Sequence, residues 1–196
     1  MTRSEPTPDR RARGDITPAP EIHALTAATD DETVVALTGL INDVYADAEE
    51  GLWADGTART TKQEVTTFVR AGQLAAARLD GHLVGCVRIG RLDDRTSEFG
   101  MLAADPGHRG AGVGRDLVRY AERRGRDAGS TTMRLQLLVP REWSHPFKEF
   151  LAGWYGRLGY RRTGTGTVEE SHPGLAALLA TPCDVAVYEK DLRTQP

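Results

Sequence analysis

Between residues 34 and 45 the chain sets Val34, Leu37, Ile41, Val44 and Tyr45 at helical spacing, an apolar stripe with polar residues between. Thr29 with Glu32 three residues later reads as a capping box opening this helix, and a short strand around Glu21 to Thr26 precedes it. A second box, Thr61 with Glu64, opens a shorter helix through Val65, Phe68 and Val69 that Gly72 closes. The period then changes. "QLAAARL" and "HLVGCVRIGRL" read as strands joined by Asp80-Gly81, a pair suited to a hairpin turn in which both positions take positive φ. "SEFGMLAA" is a third strand, ended by Asp105-Pro106.

A helix follows with Val113, Leu117, Tyr120 and Ala121 inward, arginines outward and Gly129 at its end. "TTMRLQLLV" alternates Met133, Leu135, Leu137 and Val139 as a half-buried strand that Pro140 stops. From Pro146 a further helix carries Phe147, Phe150, Leu151, Trp154 and Leu158 at the spacing of a buried face, with Gly159 as its C-cap. Two last strands, "YRRTGTGTV" and "CDVAVYEKDL", flank a short helical segment around Leu175 to Leu179. The order βααβββαβαβ(α)β predicts one α+β (α/β mixed) domain over residues 21–196. Residues 1–20, with Pro6, Pro8, Pro18 and Pro20 and little to bury, read as a disordered leader.

One stretch breaks the helical logic. "HRGAGVGRDL" packs three glycines into the start of a helix, where glycine costs about 1 kcal/mol relative to alanine. A helix N-terminus points unpaired N–H groups outward and carries about half a positive charge. Phosphate binds there if side chains do not obstruct it. Gly110, Gly112 and Gly114 remove the obstruction, and Arg109 and Arg115 add positive charge, so the loop reads as a pyrophosphate cradle. No Gly-Lys-Ser/Thr ending is present for a Walker loop, and a dinucleotide G-x-G-x-x-G from Gly110 fails at Arg115.

Read from Arg109, R-G-A-G-V-G fits R/Q-x-x-G-x-G/A and resembles the acetyl-CoA-binding motif of the GNAT superfamily of N-acetyltransferases. The flanks extend the likeness: "MLAADPGHRGAGVG" is similar to the family's strand, turn and loop, "FLAGWYGRLGY" to its aromatic-Tyr signature, and "VAVYEKDL" to its usual last strand. The resemblance covers roughly residues 20 to 192. It implies a central mixed, mostly antiparallel sheet flanked by helices, and an enzyme moving an acetyl group from acetyl-CoA to a primary amine.

The resemblance also assigns residues. Arg109, Gly110, Ala111, Gly112, Val113 and Gly114 would hold the pyrophosphate through backbone N–H groups, and Leu102, Ala103 and Ala104 would lend backbone groups to the pantetheine arm. Lys148 stands seven positions before Tyr155, where the family often has asparagine; a CoA contact and a solvated lysine on the helix's polar face are both open. Glu98, eleven residues before Arg109, takes the register of the general-base glutamate in histone-acetylating relatives; the alternative is a charge on a strand's solvent face. A base is needed because an amine of pKa about 10.4 is protonated at neutral pH and has no lone pair to attack a thioester. Tyr155 sits where the family's tyrosine approaches the cofactor sulfur as general acid, or else simply packs. Cys86 and Cys183 match no family nucleophile, so direct transfer is expected.

The acceptor pocket in this family is built largely by the first two helices and facing strands. Here "YADAEEGLW" offers Asp47, Glu49, Glu50 and Trp53, which could surround a cationic amine or simply form a charged helix end. His145 could line the pocket or cap its helix. A small-molecule amine is the expected acceptor; protein or peptide acetylation, and a non-catalytic CoA-binding regulator, are the competing readings.

Composition trims the field further. Apolar and charged fractions of 39% and 27% are those of a globular chain, and no apolar run approaches the roughly 20 residues of a bilayer span. Net charge is −3, so no nucleic-acid partner is expected; the basic run "DRRARG" sits within the proline-bearing leader. Cys86 and Cys183 read as small buried thiols, and the five histidines do not cluster, so no metal is expected. Without a signal-peptide pattern the expectation is cytoplasmic, and only Lys62, Lys148 and Lys190 among many arginines suggests a GC-rich bacterial source. A homodimer is compatible with the sequence.

Overall fold

The computed structural model describes residues 19–193, so the first 18 positions of the expected leader lie outside the described residues. The elements in chain order are β1 (Glu21–Ala24), α1 (Asp31–Ala48), α2 (Lys62–Arg70), β2 (Leu74–Leu79), β3 (His82–Arg91), β4 (Thr96–Ala104), α3 (Val113–Asp127), β5 (Thr132–Pro140), α4 (Pro146–Arg157), β6 (Arg161–Thr167), the one-turn helices α5 (Val168–Ser171) and α6 (Pro173–Ala176), and β7 (Cys183–Asp191). Asp80 and Gly81 take φ of 50° and 80°, folding β2 back on β3 as the turn residues require.

Three local expectations are corrected. α1 is capped by Asp30, whose side chain accepts from Thr33 N; Thr29 Oγ1 instead accepts from Thr26 N in the preceding turn. The helical segment before β7 is centred on residues 168–176, because Thr167 and Glu170 form a reciprocal capping box that starts α5 early. In α4 the buried positions are Lys148 and Tyr155, while Phe150 of the apolar stripe is 56% exposed.

One seven-stranded sheet runs β1-β2-β3-β4-β5-β7-β6, antiparallel throughout except between β4 and β5. That parallel pair is registered only from Thr96 opposite Thr132 to Phe99 opposite Leu135. Beyond Phe99 the two strands part, β4 staying with β3 and β5 with β7. At the parting β4 bulges. Cys86 faces Ala103 and Arg88 faces Gly100, so Met101 and Leu102 oppose the single Val87, and Met101 takes a φ of 46°.

The bulge transfers alternate side chains between faces. Phe99 packs with Val113, Leu117, Leu135 and Tyr155 on the α3/α4 face, whereas Met101 and Ala103 pack with Val34, Leu37 and Ile41 on the α1/α2 face. Each such buried side chain contributes about 1.5–3 kcal/mol of transfer free energy, so both faces are firmly anchored around the gap.

Candidate active site

The gap between β4 and β5 is a cavity of about 290 Å³ that passes from the α3/α4 face toward the α1 end of the molecule. Leu102 and Ala104 of β4, Gly114 of α3, and Phe147, Leu151 and Trp154 of α4 wall one side. The predicted apolar stripe of α4 is therefore cavity wall rather than core: the helix leans over an opening that β4 and β5 leave unfilled. Gly114 sits close to the Trp154 ring, where even a Cβ would be in ordinary contact at 3.6 Å. Ala103, its neighbour on the strand, is turned away into the opposite core.

Ahead of α3, Asp105 Oδ1 accepts from Gly107 N and its Oδ2 meets His108 Nδ1 at 3.0 Å, fixing the turn that leads into the arch. Gly110 and Gly112 take φ of 89° and 80°, and Gly112 is the N-cap of α3 with no side-chain cap bond. A Cβ at Gly110 would meet nothing within 4 Å. Ala111 N donates to His108 O, while the amides that open α3 have no side-chain cap to satisfy them and form the kind of donor set a diphosphate needs. Arg109 is exposed beside them, Ala111 is half-buried and Val113 buried.

Tyr155 is buried against Phe99 and Tyr160, with ring centroids 6.1 Å away in each case, and beside Trp154 at 5.0 Å. It lines the cavity, and its hydroxyl bonds to no described residue. Burial raises its pKa above the usual tyrosine range, so the proton stays on.

Glu98 lines the same cavity from the other face of β4. Burial raises its pKa, and the charges of Arg134 and then Arg88 pull it back; Arg134 Nε lies 3.1 Å from its Oε2 across the parallel register. The end of the cavity near α1 is completed by Tyr45, Glu49, Trp53, Arg59 and His172. Glu49 is buried and fully engaged: Oε1 accepts from Lys148 Nζ at 2.5 Å and Oε2 from Trp53 Nε1 at 2.7 Å. Lys148 is thereby a buried partner of Glu49 rather than a solvated side chain, because α4 turns it inward toward the end of α1.

Other candidates fall elsewhere. Asp47 and Glu50 are exposed and do not line the cavity. His145 is the N-cap residue of α4 but makes no cap bond; its ring is buried, stacks on Trp143 at 5.3 Å and borders a separate cleft. Cys86 and Cys183 are buried, and desolvation pushes their thiols up to about 12 and about 11, which suits neither to nucleophilic work. Among the described residues no group of three or more His, Cys, Asp or Glu could hold a metal, and no helix is long and apolar enough to cross a membrane. The sequence reading missed Arg59, Arg88, Arg134 and His172. The signal was there for two: Arg88 and Arg134 interrupt otherwise apolar strands on the same face as Glu98.

The family model described as acetyltransferase (GNAT) family matches residues 40–154. No curated protein matches the chain. Among solved structures, a ribosomal-protein-alanine N-acetyltransferase from Brucella melitensis superposes with TM-score 0.63 at 14% identity, covering 87% of this chain and 99% of that one. An aminoglycoside 6′-N-acetyltransferase complexed with coenzyme A gives 0.60 at 17% identity, covering 90% and 99%. N-acetylglutamate synthase from Neisseria gonorrhoeae, complexed with coenzyme A and N-acetyl-glutamate, gives 0.61 at 14% identity, covering 88% of this chain but only 35% of the larger one. The glycine arch, the parted strands and the matched family model agree: the chain belongs to the GNAT family and is an acetyl-CoA-dependent acetyltransferase.

Proposed function

We propose that the chain transfers the acetyl group directly to a primary amine of a small molecule, with Glu98 as general base and Tyr155 as general acid. The observation that carries this reading is the cavity between β4 and β5, which Glu98 lines from one face of the sheet and Tyr155 from the other. The amides of residues 110–114 would hold the diphosphate of acetyl-CoA, with Leu102 and Ala104 along its arm. Acetyl-CoA supplies an activated acetyl group, its thioester carbonyl carbon being the electrophile.

Glu98 takes the proton that an ammonium must lose before its nitrogen bonds to that carbon. Tyr155 gives its hydroxyl proton to the sulfur as the carbon–sulfur bond breaks, and is reprotonated at the expense of the second proton that the nitrogen sheds as the acetamide forms. Each ammonium consumed yields one acetamide, one CoA thiol and one released proton. A small acceptor is supported by the cavity's modest volume of about 290 Å³, lined at its far end by Trp53, His172 and Leu175. The aminoglycoside acetyltransferase that this fold resembles is itself named for a small-molecule acceptor. Thiol release from acetyl-CoA against a panel of small amines and peptides tests the reading; turnover with peptides alone would overturn it.

A further inference from the structure

Two arginines, Arg59 and Arg88, line the cavity near α1 and a third, Arg134, backs Glu98 on the neighbouring strand, all with most of their hydrogen-bonding capacity unspent. Arg59 lies over the Tyr45 and Trp53 rings, 5.0 and 6.0 Å from their centroids, with Nε 3.9 Å from Glu49 Oε2. Arg88 lies 4.4 Å over the Phe68 ring and donates through Nε to Gln73. Arg134 pairs with Glu98 through Nε alone. Among the described residues, no terminal NH2 group of these three donates a hydrogen bond, and the Nε atoms of Arg59 and Arg134, shut off from solvent, lack a well-aligned acceptor. Arginines that hold the fold together behave differently: Arg78, Arg91 and Arg124 each spend a terminal nitrogen on a backbone carbonyl.

Charge points the same way. Arg59, Arg88 and Lys148 line the cavity with only two carboxylates, Glu49 and Glu98, and each carboxylate already has a cation within 4 Å, Lys148 on Glu49 and Arg134 on Glu98. Partial desolvation first, then the charges of Arg59, Arg88 and Arg134, lower the pKa of His172, whose Nε2 meets Gln136 Oε1 at 2.7 Å. The lining therefore carries one positive charge in excess, with Arg134 adding a further one behind Glu98. Guanidinium forks match carboxylate and phosphate oxygens in pairs, and the interaction strengthens as water is excluded. Such a wall repels polycations and also lowers the pKa of an amine brought beside it, which eases the loss of its proton.

We propose that the acceptor is an amine that also carries an anionic group, a carboxylate or a phosphate, held by Arg59 and Arg88 while the amine faces Glu98. The inference rests on acetyl transfer to a small amine in this cavity and narrows the acceptor class.

Matched pairs test it: an ω-amino acid against its amide, and an aminoalkyl phosphate against the amino alcohol. Each is titrated by calorimetry into CoA-loaded protein and assayed for thiol release from acetyl-CoA. In at least one pair the anionic member should bind about tenfold more tightly, and that pair identifies carboxylate or phosphate. Arg59→Gln and Arg88→Gln should bring the ratio within that pair close to one, whereas Arg88→Lys, which keeps the charge, should retain part of it. Equal affinity within both pairs, no binding of either anionic member, or a ratio untouched in the glutamine variants overturns the proposal. Preferential binding of the anion without turnover of any acceptor would leave the anion site standing and remove the transfer reading. Turnover with no charge preference would do the reverse.

Discussion

Lys148 Nζ of α4 lies 2.5 Å from Glu49 Oε1 at the end of α1, a pair ninety-nine residues apart in the chain, with both side chains 5% exposed. It ties α4, which walls the cavity on the α3 side, to α1, which lines its other end. Removing one partner of a buried pair strands the other, at about 3–5 kcal/mol. The two single variants should not be equal. In Lys148→Met, Glu49 keeps Trp53 Nε1 and the nearby Arg59; in Glu49→Leu, Lys148 loses the only hydrogen-bond partner it has among the described residues. Urea unfolding should therefore rank Glu49→Leu as the more damaging, with the double variant costing less than the sum of the two.

A base works only when ionised, so kcat/KM should rise with pH through the titration of Glu98. Burial raises that pKa and Arg134 lowers it. Arg134→Gln should consequently move the acidic limb of the profile to higher pH, and Glu98→Gln should abolish the limb with a loss of about 10²–10⁴-fold in rate. The stability sign follows from the same shift. A carboxyl whose folded pKa is raised binds its proton more tightly in the native state, so its contribution to stability falls as pH climbs from the unfolded to the folded value. Glu98→Gln should remove that decline in a pH series of unfolding curves.

The elements that position the site were legible because they are local. Periodicity placed the helices and strands, the Asp80-Gly81 pair announced the hairpin, and three glycines at the start of α3 marked a helix end built for something other than stability. What stayed hidden was pairing at a distance. Lys148 on a helix otherwise apolar on one side reads as solvated until Glu49 is seen to meet it. The stripe of Phe147, Leu151 and Trp154 has the spacing of a core face, and only the parting of β4 and β5 turns it into a cavity wall. Arg59 comes from a loop and Arg88 from a strand, and although the interruption of β3 marks Arg88, no spacing in the chain foretells that Arg59 joins it at the cavity.

Tyr155→Phe keeps the ring that packs on Phe99 and Tyr160 and removes only a hydroxyl that bonds to no described residue. Melting temperature and CoA affinity should be nearly unchanged. Turnover should fall by about 10²-fold, within the range of a lost proton donor, with KM for the acceptor little altered. An unchanged kcat would make the tyrosine packing alone.

Gly110 and Gly112 separate the arch's conformation from its chemistry. A methyl at Gly110 enters open space, so Gly110→Ala meets only the strain of a φ of 89°, about 1 kcal/mol. CoA affinity should weaken modestly. Gly112→Glu sets its Cβ 2.7 Å from Arg115 Nη2, the movable end of a long side chain, so the fold should survive by circular dichroism. Its carboxylate, however, lands on the α3 amides that the diphosphate would use and adds like charge beside it. Calorimetry should find no CoA binding in that variant, against clear binding in Gly110→Ala. Equal affinity in the two would place the diphosphate somewhere other than this helix end.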